Sequence, residues 1–258
     1  MNNELRIQIA KMVHKSREGH LPSSFSIVDI IDFLYANVLR FDVNDVSNID
    51  RDYFILSKGH GCAALYVVLC KYGFLTEDDL ANYSLPTGIL GGHPDMTIVP
   101  GAEASTGSLG HGFPTALGIA LGLKIQKMNN RVIALLGDGE CHEGTIWEAA
   151  NVANNQWLGN LCAIVDWNGS ASQLMPRDNL IEKWTAFGWN VFIIDGHSQT
   201  EMMETFKKIN FQIHGSPNVI LAKNIKGKGV SFLEGHGSWH HKIPSDDELN
   251  KIIDELVA

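Results

Sequence analysis

A mostly parallel, doubly wound α/β sheet flanked by helices is the fold this sequence predicts, on three observations. Short β-branched apolar runs alternate with longer segments of helical periodicity. The stretch from Arg131 to Asn168 reads strand, Gly137-Asp138-Gly139, helix, strand, at the length of a βαβ unit with parallel strands. Glycine-rich turns carrying His, Asp and Asn follow the predicted strands, at the edge where open α/β sheets bind ligands.

The elements follow in order. Leu5, Ile9, Met12 and Val13 share one helical face, which predicts an amphipathic helix from about 3 to 17. Leu21-Pro22-Ser23-Ser24 is expected as a loop. An apolar helix from Ser26 to Leu39 should follow it, capped by Ser24 or Ser26. Asp52–Leu56 reads as a strand and Cys62–Tyr72 as a helix, so His60 falls at a strand-to-helix turn. Residues 85–100 read as loop, and Pro114–Lys127 as a helix of small residues suited to close packing on another helix or on a neighbouring chain, or equally to plain core packing.

Beyond the central unit, helices are expected at Pro176–Phe187, Glu201–Phe211 and Asp246–Val257, with strands at Asn190–Ile194 and Asn218–Ala222. Lys226-Gly227-Lys228-Gly229 reads as a flexible basic turn. At 258 residues, 45% hydrophobic and 19% charged, the chain matches one globular domain spanning 1–258.

A formal charge of −9 argues against nucleic acid or an anionic membrane as partner. Cys62, Cys70, Cys141 and Cys162 lack C-x-x-C spacing, and three lie in apolar surroundings. Such thiols point to a reducing, cytoplasmic location, with Cys141 near the ligand but outside the chemistry. No signal peptide or membrane-length apolar run is present.

Gly137 and Gly139 lack a Cβ, so backbone can approach a bulky anion there and adopt positive φ. The helix behind them presents free N–H groups to a phosphate. Asp138 and Asn168, each just past a strand, offer a carboxylate and an amide oxygen to Mg²⁺ or Ca²⁺. An ordinary tight turn would also account for Gly-Asp-Gly alone. Three histidines recur behind glycines in predicted loops: His20, His60 and His93.

Taken together, EGHLPSSFS, ILSKGHGCAALY, LGGHPD, TGSLGHG, LLGDGECHEG and VDWN resemble, in order and spacing, the N-terminal diphosphate-binding half of a transketolase. The resemblance covers nearly the whole chain and implies thiamine diphosphate, a Mg²⁺ or Ca²⁺ ion, and transfer of a two-carbon ketol unit from a ketose to an aldose. By position it implies that His60 contacts the diphosphate and that Gly107 and Leu109 lie against the thiamine rings. Gly137, Gly139 and Glu143 join the cofactor-binding set, and Asp138, Asn168 and the Ser170 carbonyl hold the metal. His20 and His93 would face the substrate as neutral imidazoles near their ordinary pKa, serving as donor or acceptor. Glu143 and Glu148 match acidic residues that link paired active sites.

Some features depart from the family. GSASQLMPRDNLIEKW, after Asn168, is shorter than the usual loop and lacks its Asp-Gly, and His111 replaces a common glutamine. His236, His240 and His241 compete for the family's late catalytic histidine, and His240 is favoured. The family's pyrimidine-binding domain, with its activating glutamate, has no counterpart here. It is expected on a separate partner chain, in an α2β2 assembly acting on sugars or sugar phosphates. The other readings are the α subunit of a 2-oxoacid dehydrogenase and a non-catalytic cofactor-binding remnant. The early GHLPSS and SKGH motifs favour transketolase over the dehydrogenase.

Overall fold

The computed structural model describes residues 2–172, 175–235 and 237–258. The first half of the chain runs α1 (Asn3–Ser16), α2 (Leu21–Asn37), β1 (Tyr53–Leu56), α3 (Cys62–Lys71), α4 (Glu77–Ala81) and α5 (Gly112–Ile125). It continues through β2 (Val132–Gly137), α6 (Gly144–Asn155), β3 (Leu161–Trp167), α7 (Leu180–Ala186) and β4 (Asn190–Asp195). Last come α8 (Gln199–Lys208), β5 (Asn218–Lys223) and α9 (Asp246–Val257).

All the strands pair in parallel, in the order β1-β2-β3-β5-β4, as the fold class requires. The central strands are continuously apolar because helices cover both faces. Ile133, Leu135, Cys162, Ile164 and Ile220 face one core with α1, α2, α3, α8 and α9. Their neighbours Val132, Ala134, Leu136, Ala163 and Val219 face the other, with α5, α6 and α7. The chain skips a place from β3 to the edge strand β4, then returns through α8 to β5. Because crossovers keep one hand, that reversal moves α8 to the face opposite α7.

Several boundaries differ from expectation. Helix α2 begins at Leu21, so Leu21-Pro22-Ser23-Ser24 is its first turn and neither Ser24 nor Ser26 caps it. Proline is tolerated in a first turn, where its missing N–H would have had no helical partner. Helix α4 was not expected. It is five residues long and closed by a capping box between Thr76 and Asp79. Helix α7 starts at Leu180, where the Asn179 side chain caps it, and α8 stops at Lys208. Among the described residues no helix is long and apolar enough to cross a membrane.

Candidate cofactor and active site

The carboxyl ends of four neighbouring strands converge on Asp166. This carboxylate, 0% exposed at the end of β3, accepts four hydrogen bonds. Its Oδ1 takes the Ser26 hydroxyl of α2 at 2.7 Å and the Asn224 amide beyond β5 at 2.6 Å. Its Oδ2 takes the Lys58 ammonium beyond β1 at 2.5 Å and the Asn168 amide at 2.8 Å. Lys58 and Asp166 fall within the SKGH and VDWN motifs, yet the sequence alone assigned neither a role, since a lysine in a Gly-rich turn reads as a solvated cation.

Asp138 stands beside this knot, 5% exposed, its Oδ1 accepting the Gly139 N–H at 2.7 Å. Burial, and after it the Asp166 charge, pushes its carboxyl above the ordinary range. Among the described residues it has no ion-pair partner. A buried carboxylate raised in this way is a ready ligand for a cation. Asn168 Oδ1 accepts the Ser170 N–H at 3.0 Å and the Ser170 hydroxyl at 2.5 Å, so Asn168 and Ser170 lie side by side. Among the described residues no group of three or more His, Cys, Asp or Glu is arranged to hold a metal ion. One carboxylate, an amide oxygen and backbone carbonyl suit a hard divalent ion better than zinc.

Gly137 and Gly139 are not at positive φ, contrary to expectation; Gly139 is helical at φ −64°. A Cβ on Gly137 would meet nothing within 4 Å, and one on Gly139 only Ala171 at 4.0 Å. Neither the fold nor the backbone needs these glycines, so the space above them is free for a diphosphate. A 3-10 turn, Glu140–His142, separates them from α6. Buried Glu140 braces that turn, its Oε1 accepting the Ser57 hydroxyl at 2.5 Å and the Gly110 N–H at 3.3 Å, its Oε2 the Gly137 N–H at 3.2 Å.

The loop histidines gather in one place. His20, the N-cap of α2, has its ring centroid 5.1 Å from His60, 5.2 Å from His240 and 4.6 Å from His241. His60 and His240 are 6.0 Å apart. His93 completes the group. A Cβ on Gly59 or Gly107 would come within 3.1 Å of its ring, and Gly107 adopts φ +145°, so glycine seats this histidine.

Three of these imidazoles, His20, His60 and His240, are not near their ordinary pKa. Burial, with the neighbouring histidines, lowers His20 to about 4. Burial and then Lys58 lower His60 to about 2. His240 is lowered too, by burial and then by Lys226. They are neutral donors and acceptors throughout the physiological range.

Lys226 was expected in a flexible turn. It is buried, its Nζ donating to Ser170 Oγ at 3.3 Å and to His240 Nδ1 at 3.1 Å. Burial, then Lys58, lowers its pKa. Of the three late histidines, His240 is tied to the metal-side residues through Lys226, while His241 pairs with Glu18 at 3.2 Å. His236 lies outside the described residues, as do Gln173 and Leu174 of the short loop after Asn168.

Leu109 is exposed at the rim beside Gly107. His111 is exposed at the start of α5 and shares its Nδ1 with Ser108 and the Leu109 carbonyl. Glu143 precedes α6 as its N-cap, half-buried against Gly110, while Glu148 is exposed on the helix; the two are not a pair on one helical face. Cys141 is fully buried, and burial raises its thiol well above the ordinary range, leaving it inert.

Comparison with known proteins gives this geometry a family. The family described as transketolase, thiamine diphosphate binding domain, matches residues 1–256. An apulose-4-phosphate transketolase subunit from Actinobacillus succinogenes is 40% identical over 243 residues, covering 92% of this chain and 87% of that protein. The 6-deoxy-6-sulfo-D-fructose transketolase subunit SqwG of a Clostridium species is 35% identical, covering 98% and 94%. Among solved structures, transketolase from Campylobacter jejuni superposes with a TM-score of 0.92 at 27% identity, covering 99% of this chain and 42% of its own. The 2-oxoacid dehydrogenase alternative finds no support among these relatives. The chain belongs to the transketolase family, as its thiamine diphosphate binding domain.

Proposed function

We propose that this chain is the diphosphate-binding subunit of a two-chain transketolase, carrying a two-carbon ketol unit from a ketose to an aldose together with a pyrimidine-domain partner. The observation that carries this is the open cradle over Gly137 and Gly139, with the unpaired, buried Asp138 at its floor. Asp138, Asn168 and the Ser170 carbonyl are the residues that would hold Mg²⁺ or Ca²⁺. His60, Gly107, Leu109 and Glu143 would line the cofactor side, and His20, His93 and His240 the substrate side. Thiamine diphosphate, when bound, supplies the electron sink for breaking and making the carbon–carbon bond.

The chain's own residues do the rest. Lys226, between Ser170 and His240, places positive charge where a diphosphate would lie. His20 and His93 hydrogen-bond sugar hydroxyls and carbonyl, either donating or accepting. The Actinobacillus and Clostridium relatives, each named as one subunit of a transketolase, are covered over about nine tenths of their length, which supports residues 1–258 acting as one domain beside a separate chain. Two such pairs would form an α2β2 assembly.

The substrates in those relatives' names carry a phosphate or a sulfonate group. A sugar with an anionic end is therefore the substrate class proposed here. Four free cysteines, three of them buried, support a reducing, cytoplasmic location.

The test is calorimetric titration with thiamine diphosphate in saturating Mg²⁺, on the chain alone and on the co-purified complex. Asp138→Ala should abolish binding, because the diphosphate loses its metal bridge. Unchanged affinity in that variant would remove Asp138 from the cation site.

A further inference from the structure

Charge at the carboxyl edge of the sheet is distributed unevenly. Close together in space stand three buried carboxylates, Asp138, Glu140 and Asp166, and two buried ammoniums, Lys226 and the more enclosed Lys58, 2% exposed. The strands hold them close. Gly137 is the register partner of Asp166, and the Asp138 N–H donates to the Asp166 carbonyl at 3.2 Å. Lys58 exerts its charge on Asp138 yet binds only Asp166, at 2.5 Å. A lysine that reached Asp138 would occupy the coordination point with its own ammonium and satisfy the carboxylate without a metal.

Asp166 also decides how Asn168 is turned. A carboxylate only accepts hydrogen bonds, so the Asn168 atom facing it at 2.8 Å must be Nδ2. The amide oxygen is thereby directed toward Ser170, at the opposite end of the side chain.

We propose that Asp166 is a positioning residue for the cation site: it sequesters Lys58, leaving Asp138 free for a divalent ion, and it turns the Asn168 oxygen to the ligand side. The inference rests on the cofactor site proposed above, and it makes a distinct claim. An uncharged side chain at position 166 releases a competitor as well as removing a support. Removing the lysine at the same time should therefore restore cation binding.

The experiment is a cycle of Asp166→Asn, Lys58→Met and the double variant, with Asp138→Ala as control. Each is titrated by calorimetry with thiamine diphosphate in saturating Mg²⁺, using whichever preparation, chain or co-purified complex, binds in the wild type. Removing a partner of a metal ligand typically costs about 10–100-fold in affinity, and Asp166→Asn should fall in that range. The double variant should return to within about threefold of Lys58→Met alone. Crystals of Asp166→Asn should show the Lys58 ammonium on Asp138.

Wild-type affinity in Asp166→Asn would overturn the proposal. The asparagine oxygen at position 166 can still accept from Asn168, so a double variant as weak as Asp166→Asn would also overturn it: Lys58 would then not be the competitor. Should Asp166→Asn fail to fold, the charge-neutral double variant carries the test. It is predicted to fold and bind within about tenfold of wild type, since a buried pair is often replaced together without loss. Failure of that variant to bind would count against the proposal. Loss of the cofactor reading itself would look different: wild type and Asp138→Ala would then behave alike.

Discussion

His20 carries a clear pH signature. Its ring is neutral down to about pH 4, because burial and the neighbouring histidines oppose a charge there. An NMR titration of that ring should give a midpoint near 4, and one near 6.5 would contradict the packed histidine cluster. The sign for stability follows. Both His20 and His60, the latter lowered to about 2, bind protons less readily folded than unfolded. As pH falls through 6.5 the unfolded chain takes up protons first, so stability declines from about 6.5 to about 4 through His20 and on toward 2 through His60. Chemical denaturation across that window checks the slope.

His20→Ala and His93→Ala should fold normally and lower kcat by about 10²–10⁴-fold in the assembled enzyme, the usual range for a lost acid–base or hydrogen-bonding group. Wild-type kcat and KM in both would make them ordinary loop histidines. At this scale much of the site was legible: Asp138, Asn168 and the three Gly-His pairs are short-range patterns at strand and helix ends. Lys58, Asp166, Glu140 and Lys226 were not. Their roles arise from contacts across many positions, Asp166 with Ser26 being 140 residues apart, and no local spacing encodes such a meeting.

Helix α2 links the site to the scaffold. His20 sits at its N-cap, Ser26 binds Asp166, and one turn further Asp29 is held by the Arg6 guanidinium of α1 at 2.6 Å and by His197 beyond β4 at 2.9 Å. Burial alone would raise the Asp29 carboxyl, but the hydrogen bonds from His197 and Arg6 outweigh it and hold the pKa well below the ordinary range. His197 Nε2 in turn accepts the Ile225 N–H at 3.1 Å, next to Lys226. Asp29→Ala leaves a fully buried guanidinium without its counter-ion and should cost about 3–5 kcal/mol in denaturant unfolding. A loss under 1 kcal/mol would mean that the triad is not a support.

Strands and long helices were legible to within a few residues because buried strands read as apolar runs. The start of α2 was not, since proline and two serines imitate a loop until the helix behind them is built. Helix α4 left no signal because a five-residue helix has too little periodicity to register.

Across the whole molecule, α5 is the element without a complete environment. Its sequence is apolar all round, GFPTALGIALGLKI, yet it lies on the surface. Gly118 and Gly122 have nothing within 4 Å of a Cβ, and Ile125 is 73% exposed. Val152 and Trp157, on and just beyond the neighbouring α6, are exposed as well. A helix apolar on every side belongs in an interior, and a partner chain or a second copy of this one would provide it. Leu109 and Glu143 lie at the adjoining rim, so such a contact would also complete the cofactor cleft.

On the proposed function, catalysis needs two chains, one of which is this one. The direct measurement is ketol transfer, with a panel of ketose donors and aldose acceptors, thiamine diphosphate and Mg²⁺. It is run on this chain alone, on the candidate partner from a neighbouring reading frame alone, and on the two co-expressed. Activity only in the co-expressed pair, abolished by Asp138→Ala in this chain, is the predicted result; full activity from this chain alone would contradict it.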